Sequence, residues 1–249
     1  MTTQLIHCSY HKCLTKYYVR VMVWMYNRIF RFSKGYRHFD SRIDQFYEDL
    51  NKYRVASINN RALDLERIGD CRVSRFIRDP RDMVVSGYFY HKRGAEKWCN
   101  RRGLTEEYLG GLNGGVPEQM GEEQSFSEYL QGLSQEDGLI AEIEFRKYHF
   151  ESMLGWPTDD PRVKLFRYED MMGNEEQVFA EMFSFYELSW VERKLGLMLA
   201  RRFSARGRGR LKEHIRNPKA NQWKEYFTPK VSDYFSRHHK AVLDKYGYE

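Results

Sequence analysis

A short apolar run that breaks into a turn and at once into a helical pattern occurs twice in this chain, and that arrangement restricts the fold more than any other feature. Gln4 to Tyr18 reads QLIHCSYHKCLTKYY. Leu5, Ile6 and Cys8 have strand character, Lys12, Thr15 and Lys16 occupy a turn, and Tyr17, Val21, Trp24, Met25, Arg28 and Ile29 then fall at helical spacing, which predicts a helix from about Lys16 to Phe32. Arg72 to Arg78 (RVSRFIR) alternates Val73, Arg75 and Ile77 with Ser74 and Phe76. Asp79-Pro80 stops that strand, and a helical pattern follows from Arg81 through Met83, Val84, Val85, Tyr88 and Phe89.

Further strands are expected at Arg54 to Asn59 and Arg162 to Tyr168. Helices are expected at about Ser41 to Leu50, Ser125 to Leu133, Gly138 to Trp156, Glu175 to Glu187, Trp190 to Phe203 and Pro229 to Lys245. Strands that alternate with helices predict an α/β fold with a central parallel sheet covered by helices on both faces, three layers in all. At 249 residues the chain is long enough for one such domain spanning 1–249, and no break in composition divides it.

Two stretches interrupt the regularity. Between Gly94 and Gly121 seven glycines break up polar and charged residues, the composition of a lid or acceptor-binding insertion. Ser204 to Thr228 is irregular and strongly basic. Overall 41 Lys and Arg face 35 Asp and Glu, a formal charge of +6, so anionic partners are attracted without their kind being specified. Cys8, Cys13, Cys71 and Cys99 lack metal-ligand spacing and form no disulfide framework, which points to a reducing, cytoplasmic setting. The first residues show no secretory signal pattern, and no apolar run approaches the length that spans a bilayer, so a soluble chain is expected.

Chemistry concentrates at the two turns. The first amides of a helix have no partner inside it and the helix dipole favours negative charge there, so a strand, a basic hydroxyl-bearing turn and a helix start make an anion site. The first turn lacks G-x-x-x-x-G-K-[ST] and has no glycine at all. Spacing alone leaves two readings open: a phosphate-type ligand, or ordinary surface lysines beside a core strand. At the second turn Arg78 leaves the strand at its carboxyl end and Ser86 follows two helical turns after Asp79, a fork donor and a hydroxyl suited to a phosphate monoester. The plain alternative there is an Arg78–Asp82 pair with a surface serine.

Taken together the motifs resemble a known family. SYHKCLTKYY resembles the Y-P-K-S-G-T-T-W loop of the sulfotransferases that use 3′-phosphoadenylyl sulfate (PAPS), and RFIRDPRDMVVSGYFY resembles their R-N-P-K-D-x-x-V-S-x-Y-x segment. Tyr168-Glu169-Asp170-Met171 resembles their Y-E-D-[LM], HIRNPKANQWKEYFT their R-K-G-x-x-G-D-W-K-x-x-F-T, and the ending YGYE that of bacterial members. The resemblance spans nearly the whole chain apart from the glycine-rich middle.

The resemblance implies a P-loop-like fold, PAPS as co-substrate and 3′-phosphoadenosine 5′-phosphate (PAP) as product, with no metal. Position by position it implies that Lys12 binds the 5′-phosphosulfate and assists the leaving oxygen, while Cys13, Leu14, Thr15 and Lys16 supply amide donors. Arg78 and Ser86 are implied to hold the 3′-phosphate, Arg216 and Asn217 to form a basic lid over it, and Trp223 to anchor that lid. Tyr168 is either near the adenine or a packed aromatic closing a strand. Leu14 stands where the family has glycine, Lys16 where it has threonine, and Pro218 and Asn221 where it has two more glycines. The family's histidine base has no counterpart, since Ile58-Asn59-Asn60-Arg61 fills that place. His11, beside Lys12, is the first candidate base. His38, Asp40, Asp64 and Glu66 follow, and His91 is expected on an exposed helix face.

The function so implied is sulfuryl transfer to a hydroxyl, or an amine, of a carbohydrate, lipid or small-molecule acceptor, with no nucleic acid partner and no membrane insertion. Two alternatives stay open: a phosphotransferase with a degenerate P-loop and Asp170 near magnesium, and a polyanion-binding protein using Arg201, Arg202, Arg206, Arg208, Arg210 and Lys212.

Overall fold

The computed structural model describes residues 3–204 and 219–249. Its core is a parallel five-stranded sheet formed by β1 (Gln4–Ser9), β2 (Tyr36–His38), β3 (Val55–Asn59), β4 (Cys71–Ile77) and β5 (Val163–Arg167), in the order β2-β3-β1-β4-β5. β1 is central because it is apolar enough to be covered on both faces: Leu5 through Ser9 are all buried. Leu5 lies opposite Val55 and Arg72, and Ser9 opposite Asn59 and Phe76. The edge strand β5 exposes Leu165. The chain moves to one side of β1 for β2 and β3 and to the other for β4 and β5, so the carboxyl end of β1 is a topological switch point. The parallel sheet flanked by helices is the α/β class that the alternating pattern predicts.

The chain forms two compact units, Met1–Arg78 with Pro157–Lys219, and Asp79–Trp156 with Ala220–Glu249. The first holds the whole sheet. Under β1 runs a buried polar chain in which the Tyr186 hydroxyl donates to the Ile6 carbonyl at 2.6 Å. Ser74 Oγ lies 2.6 Å from that hydroxyl and His7 Nδ1 2.7 Å from Ser74 Oγ. Each hydroxyl has one proton, so this order makes Ser74 donate to Tyr186 and His7 Nδ1–H donate to Ser74. The His7 ring stacks on Tyr18 at 3.7 Å, and burial holds its basicity well below the usual imidazole range.

The helix expected over Lys16 to Phe32 is two structures in succession, an α-helix at Thr15–Met22 and a π-helix at Val23–Ile29. The helix Trp190–Phe203 runs antiparallel beside them. The Tyr17 hydroxyl donates to the Ala200 carbonyl (2.7 Å) and the Tyr26 hydroxyl to Glu192 (3.0 Å). Gly196 lets the same helix pack closely on Glu175–Phe185, since a Cβ there would come within 2.5 Å of the Phe183 ring, and on the π-helix, where Met25 Sδ would lie at 3.2 Å. Glu192 also takes Arg54 at 2.8 Å and closes a capping box with Ser189.

The second unit is helical, with Pro80–Lys92, Phe126–Gly132, Gln135–Phe145, Lys147–Leu154 and Pro229–Tyr246 as its main members. His91, expected on an exposed face, is fully buried instead: its Nδ1 lies 2.8 Å from Glu142, whose other oxygen takes Arg146 Nε at 2.7 Å. The reason is that Pro80–Lys92 is buried along nearly its whole length, so it has no water-facing side at His91. The glycine-rich stretch is also more structured than its composition suggests. It holds a 3-10 turn at Lys97–Asn100 and a helix at Glu106–Gly110. Gly114 is required there, because a Cβ would lie 2.3 Å from the Phe145 ring. All four cysteines are free and buried, and burial pushes the Cys8, Cys71 and Cys99 thiols up from their ordinary values. Among the described residues no helix is long and apolar enough to cross a membrane.

Candidate functional site

The loop after β1 stands at the switch point. Cys13 N–H donates to the Tyr10 carbonyl at 3.0 Å, and two residues then adopt the left-handed conformation, Lys12 at φ 74° and Leu14 at φ 61°. Leu14 therefore keeps the backbone shape for which the family glycine is suited, with a side chain attached. L-residues pay about 1–2 kcal/mol for that region. The turn delivers Thr15 as the first residue of the helix, with Leu14 as an N-cap that offers no side-chain hydrogen bond and no acidic residue in the first turn. The opening amides thus face outward with neither an internal cap nor a competing carboxylate, and Lys12 and Lys16 bracket them.

Asn59 and Asn60, at the end of β3, hold this loop from the side. Asn60 N–H donates to the Ser9 carbonyl (2.9 Å), and Asn60 Oδ1 accepts from His11 N–H (2.8 Å). Ser9 Oγ donates to Asn59 Oδ1 at 3.0 Å, which leaves Thr15 as the donor in the 2.7 Å Ser9–Thr15 contact. The two asparagines that stand in place of the family's base region are therefore a clamp. Sequence reasoning saw only a missing histidine there; the signal was a pair of amides directly after a predicted strand.

Arg78 follows β4 and is 3% exposed. Its guanidinium carbon lies 4.2 Å from the Tyr168 ring centroid, and Nη2 donates to the Lys219 carbonyl at 3.2 Å. Tyr168 is buried at the start of a short helix, Tyr168–Met171, where it forms the platform under that guanidinium.

In the second unit Ser86 is half-buried on the helix Pro80–Lys92. At the head of that helix Arg81 makes a two-point pair with Asp79, at 3.0 Å from Nε and 2.7 Å from Nη2. It also donates to the Glu249 main-chain oxygen at 2.6 Å and lies 3.6 Å over the Trp223 ring. Asp82, weighed above as a partner of Arg78, accepts from the Trp223 backbone N–H at 2.9 Å. The D-P-R-D turn thus places Trp223, whose indole Nε1 is buried with no partner among the described residues. Sequence reasoning assigned Arg81 and Asp79 no positioning role. Arg216, Asn217 and Pro218 lie outside the described residues.

The lesser candidates for a base are engaged elsewhere. Asp64 caps the helix Leu65–Ile68 by accepting from Glu66 and Arg67 N–H, and Glu66 pairs with Arg162 at 2.6 Å. His38 uses both ring nitrogens, Nδ1 with Ser57 (2.8 Å) and Nε2 with Asp40 (3.2 Å). That hydrogen bond, with Arg42 nearby, lowers the Asp40 carboxyl below its usual range. A lowered carboxyl is a poor proton acceptor.

Comparison with known proteins gives the family by a domain model and the fold by solved structures. The model of the sulfotransferase domain matches residues 65–247, well over half of the chain, though the match begins after the β1 loop. Among solved structures, mouse sulfotransferase SULT7A1 complexed with PAP aligns with 97% of this chain and 84% of its own at 16% identity and a TM-score of 0.52. Retinol dehydratase, in complex with androsterone and inactive cofactor PAP, aligns with 96% of this chain and 80% of its own at 14% identity and a TM-score of 0.53. No curated protein sequence matches. The structural likeness extends over nearly the whole chain and shows that the fold is shared. The chain belongs to the sulfotransferase family.

Proposed function

We propose that this sulfotransferase moves a sulfuryl group from PAPS to a hydroxyl or amine of a carbohydrate, lipid or small-molecule acceptor and releases PAP. The observation that carries the proposal is the uncapped helix start at Leu14–Lys16, set at the switch point of the sheet behind Lys12. The two neighbours were solved with PAP, which supports the same donor here. PAPS supplies the activated sulfuryl group, and everything else required is positioning and charge.

In this proposal the amides of Leu14, Thr15 and Lys16 receive the 5′-phosphosulfate, the Cys13 N–H holds the turn through the Tyr10 carbonyl, and the Thr15 hydroxyl rotates from Ser9 to the ligand when it binds. The Lys12 ammonium offsets the charge that builds on the bridging oxygen as its bond to sulfur breaks. Arg78, held over the Tyr168 ring, takes the 3′-phosphate, and Ser86, Trp223, Arg216 and Asn217 keep the cofactor roles that the family resemblance gives them. His11 accepts the acceptor's proton as the new oxygen–sulfur bond forms; its main chain is fixed by Asn60, and it adjoins Lys12. The acceptor is read by the Gly94 to Gly121 stretch and the aromatic Tyr36 to Tyr53 region, and the enzyme works in the cytoplasm.

A thermal-shift titration with PAP, followed by transfer of labelled sulfate from PAPS across an acceptor panel, tests this. Stabilisation by PAP and label in an acceptor are the expected results. Stabilisation by magnesium-ATP with none by PAP would overturn the reading in favour of phosphoryl transfer.

A further inference from the structure

Charge and apolar exposure coincide on one face of the first unit that the transfer chemistry leaves unused. Beyond the β1 loop, residues 17–39 contain five basic residues (Arg20, Arg28, Arg31, Lys34, Arg37) and no carboxylate. Arg193 to Arg202 adds four, Arg193, Lys194, Arg201 and Arg202, and again no carboxylate. Far apart in sequence, these segments are joined by the antiparallel contact of Thr15–Ile29 with Trp190–Phe203.

The two packed helical stretches and the residues that flank them carry six of the nine large apolar side chains exposed among the described residues: Trp24 (39%), Ile29 (45%), Phe32 (42%), Trp190 (68%), Val191 (54%) and Met198 (55%). On Trp190–Phe203 the inward face is Glu192, Gly196, Leu199, Ala200 and Phe203, so Trp190, Val191 and Met198 stand outward by helical period. Lys194 lies 4.0 Å over the Trp190 ring, and Arg202 is 6.0 Å from Trp24. Arg201 is paired with Glu176, whereas Arg28, Arg31, Lys34, Arg193, Lys194 and Arg202 make no salt bridge with a described residue. Beside Phe32 an open hollow of about 480 Å³ is lined by Arg31, Arg37, Asn27 and Tyr53, with room for a phosphate-bearing headgroup.

We infer that this face docks the protein on an anionic lipid surface. Basic groups around exposed tryptophan, phenylalanine and aliphatic side chains match the charge and polarity gradient of a bilayer interface, where Trp rings rest at headgroup level and Lys and Arg meet acidic lipids. A second copy of the chain would set two acid-free basic segments against each other. Nucleic acid would satisfy the charge but find no stacking use for Ile29, Val191 and Met198. The docking is reversible and peripheral, and it does not depend on the identity of the sulfuryl donor.

Flotation of the full chain with vesicles tests it, comparing phosphatidylcholine alone with phosphatidylcholine plus phosphatidylserine. Binding is expected only with the acidic lipid, and added salt weakens it. Trp190→Ser with Met198→Ser is expected to lower partitioning about tenfold by removing exposed apolar area. Arg28→Gln with Arg31→Gln is expected to lower it about fivefold per residue. All four side chains are exposed, so melting temperature and PAP-induced stabilisation stay as in the parent. Three results would overturn the inference: no flotation with acidic vesicles, equal flotation with neutral ones, or a solution dimer that Trp190→Ser dissolves. Retention on RNA that outcompetes vesicles and ignores Trp190→Ser would assign the face to nucleic acid instead.

Discussion

Arg78→Ala offers the sharpest test of how the donor is recognised. Arg78 is 3% exposed, its guanidinium lies over Tyr168 at 4.2 Å and is tethered by the Lys219 carbonyl, so little ordering remains to be done when a phosphate arrives. A hydrogen bond to a charged group contributes about 1.5–3 kcal/mol, and a buried, preset donor belongs near the top of that range. Arg78→Ala should therefore weaken PAP binding by roughly 30–150-fold. AMP, which lacks the 3′-phosphate, should change by less than about twofold, within the small effects typical of uninvolved groups. Tyr168→Leu removes only the ring beneath the guanidinium, a cation–π contact of about 0.5–2 kcal/mol, so PAP affinity should fall several-fold. In the Arg78→Ala background the same change should have almost no effect, because the platform then supports nothing. Isothermal titration of the four proteins with PAP and AMP, with melting curves to confirm folding, measures all of this. Equal losses for PAP and AMP, or additive effects of the two substitutions, would refute the 3′-phosphate role.

Other expectations follow from the same geometry. Leu14→Gly and Leu14→Ala remove nearly the same side chain, but only glycine relieves the left-handed strain, so Leu14→Gly should be more stable by about 1 kcal/mol in urea unfolding; equal stabilities would contradict that conformation. His7 and His239 both titrate below the ordinary imidazole value, His239 down to about 4, because burial disfavours their charged forms. Their contribution is complete above about pH 6.5, and below it the unfolded chain takes up protons that the folded chain refuses. Stability should then fall by about 1.4 kcal/mol per pH unit for each such histidine, and His239→Gln should halve the slope between about pH 5 and 6. Lys12→Ala should reduce kcat by more than it raises the Kd of PAP, and His11→Ala should remove the acid limb of the pH profile of kcat/KM; an unchanged limb would take the base role from His11.

The sheet was largely readable from residue pattern, and the reasons are local. β1 is a short, mainly apolar run, β4 alternates and is stopped hard by Asp79-Pro80, and Trp190–Phe203 begins at a serine with Glu192 three residues on, a capping box visible in the sequence. β2 is not legible, because three residues, Tyr36-Arg37-His38, carry no period, and an edge strand with an exposed arginine looks like a turn. His91 was misplaced because the second unit packs Pro80–Lys92 almost all round, which periodicity cannot announce. The site divides in the same way. The Lys12 and Arg78 motifs sit at strand ends and can be found by spacing. The Asn59–Asn60 clamp, the Tyr168 platform and the Arg81 tether to Trp223 are contacts between distant residues and have no sequence period at all.

The four buried thiols give the molecule a set of internal clocks. A thiol reagent reacts only with thiolate that it can reach, so burial and the raised Cys8, Cys71 and Cys99 values make the folded chain inert to alkylation. Each cysteine then marks time by the opening of its own surroundings: Cys8 and Cys71 in the sheet, Cys99 in the helical unit, Cys13 in the loop ahead of Thr15. Labelling rates read by mass spectrometry would show whether the two units breathe together. Slowing at Cys13 alone when PAP is added would locate the nucleotide without any substitution in the protein.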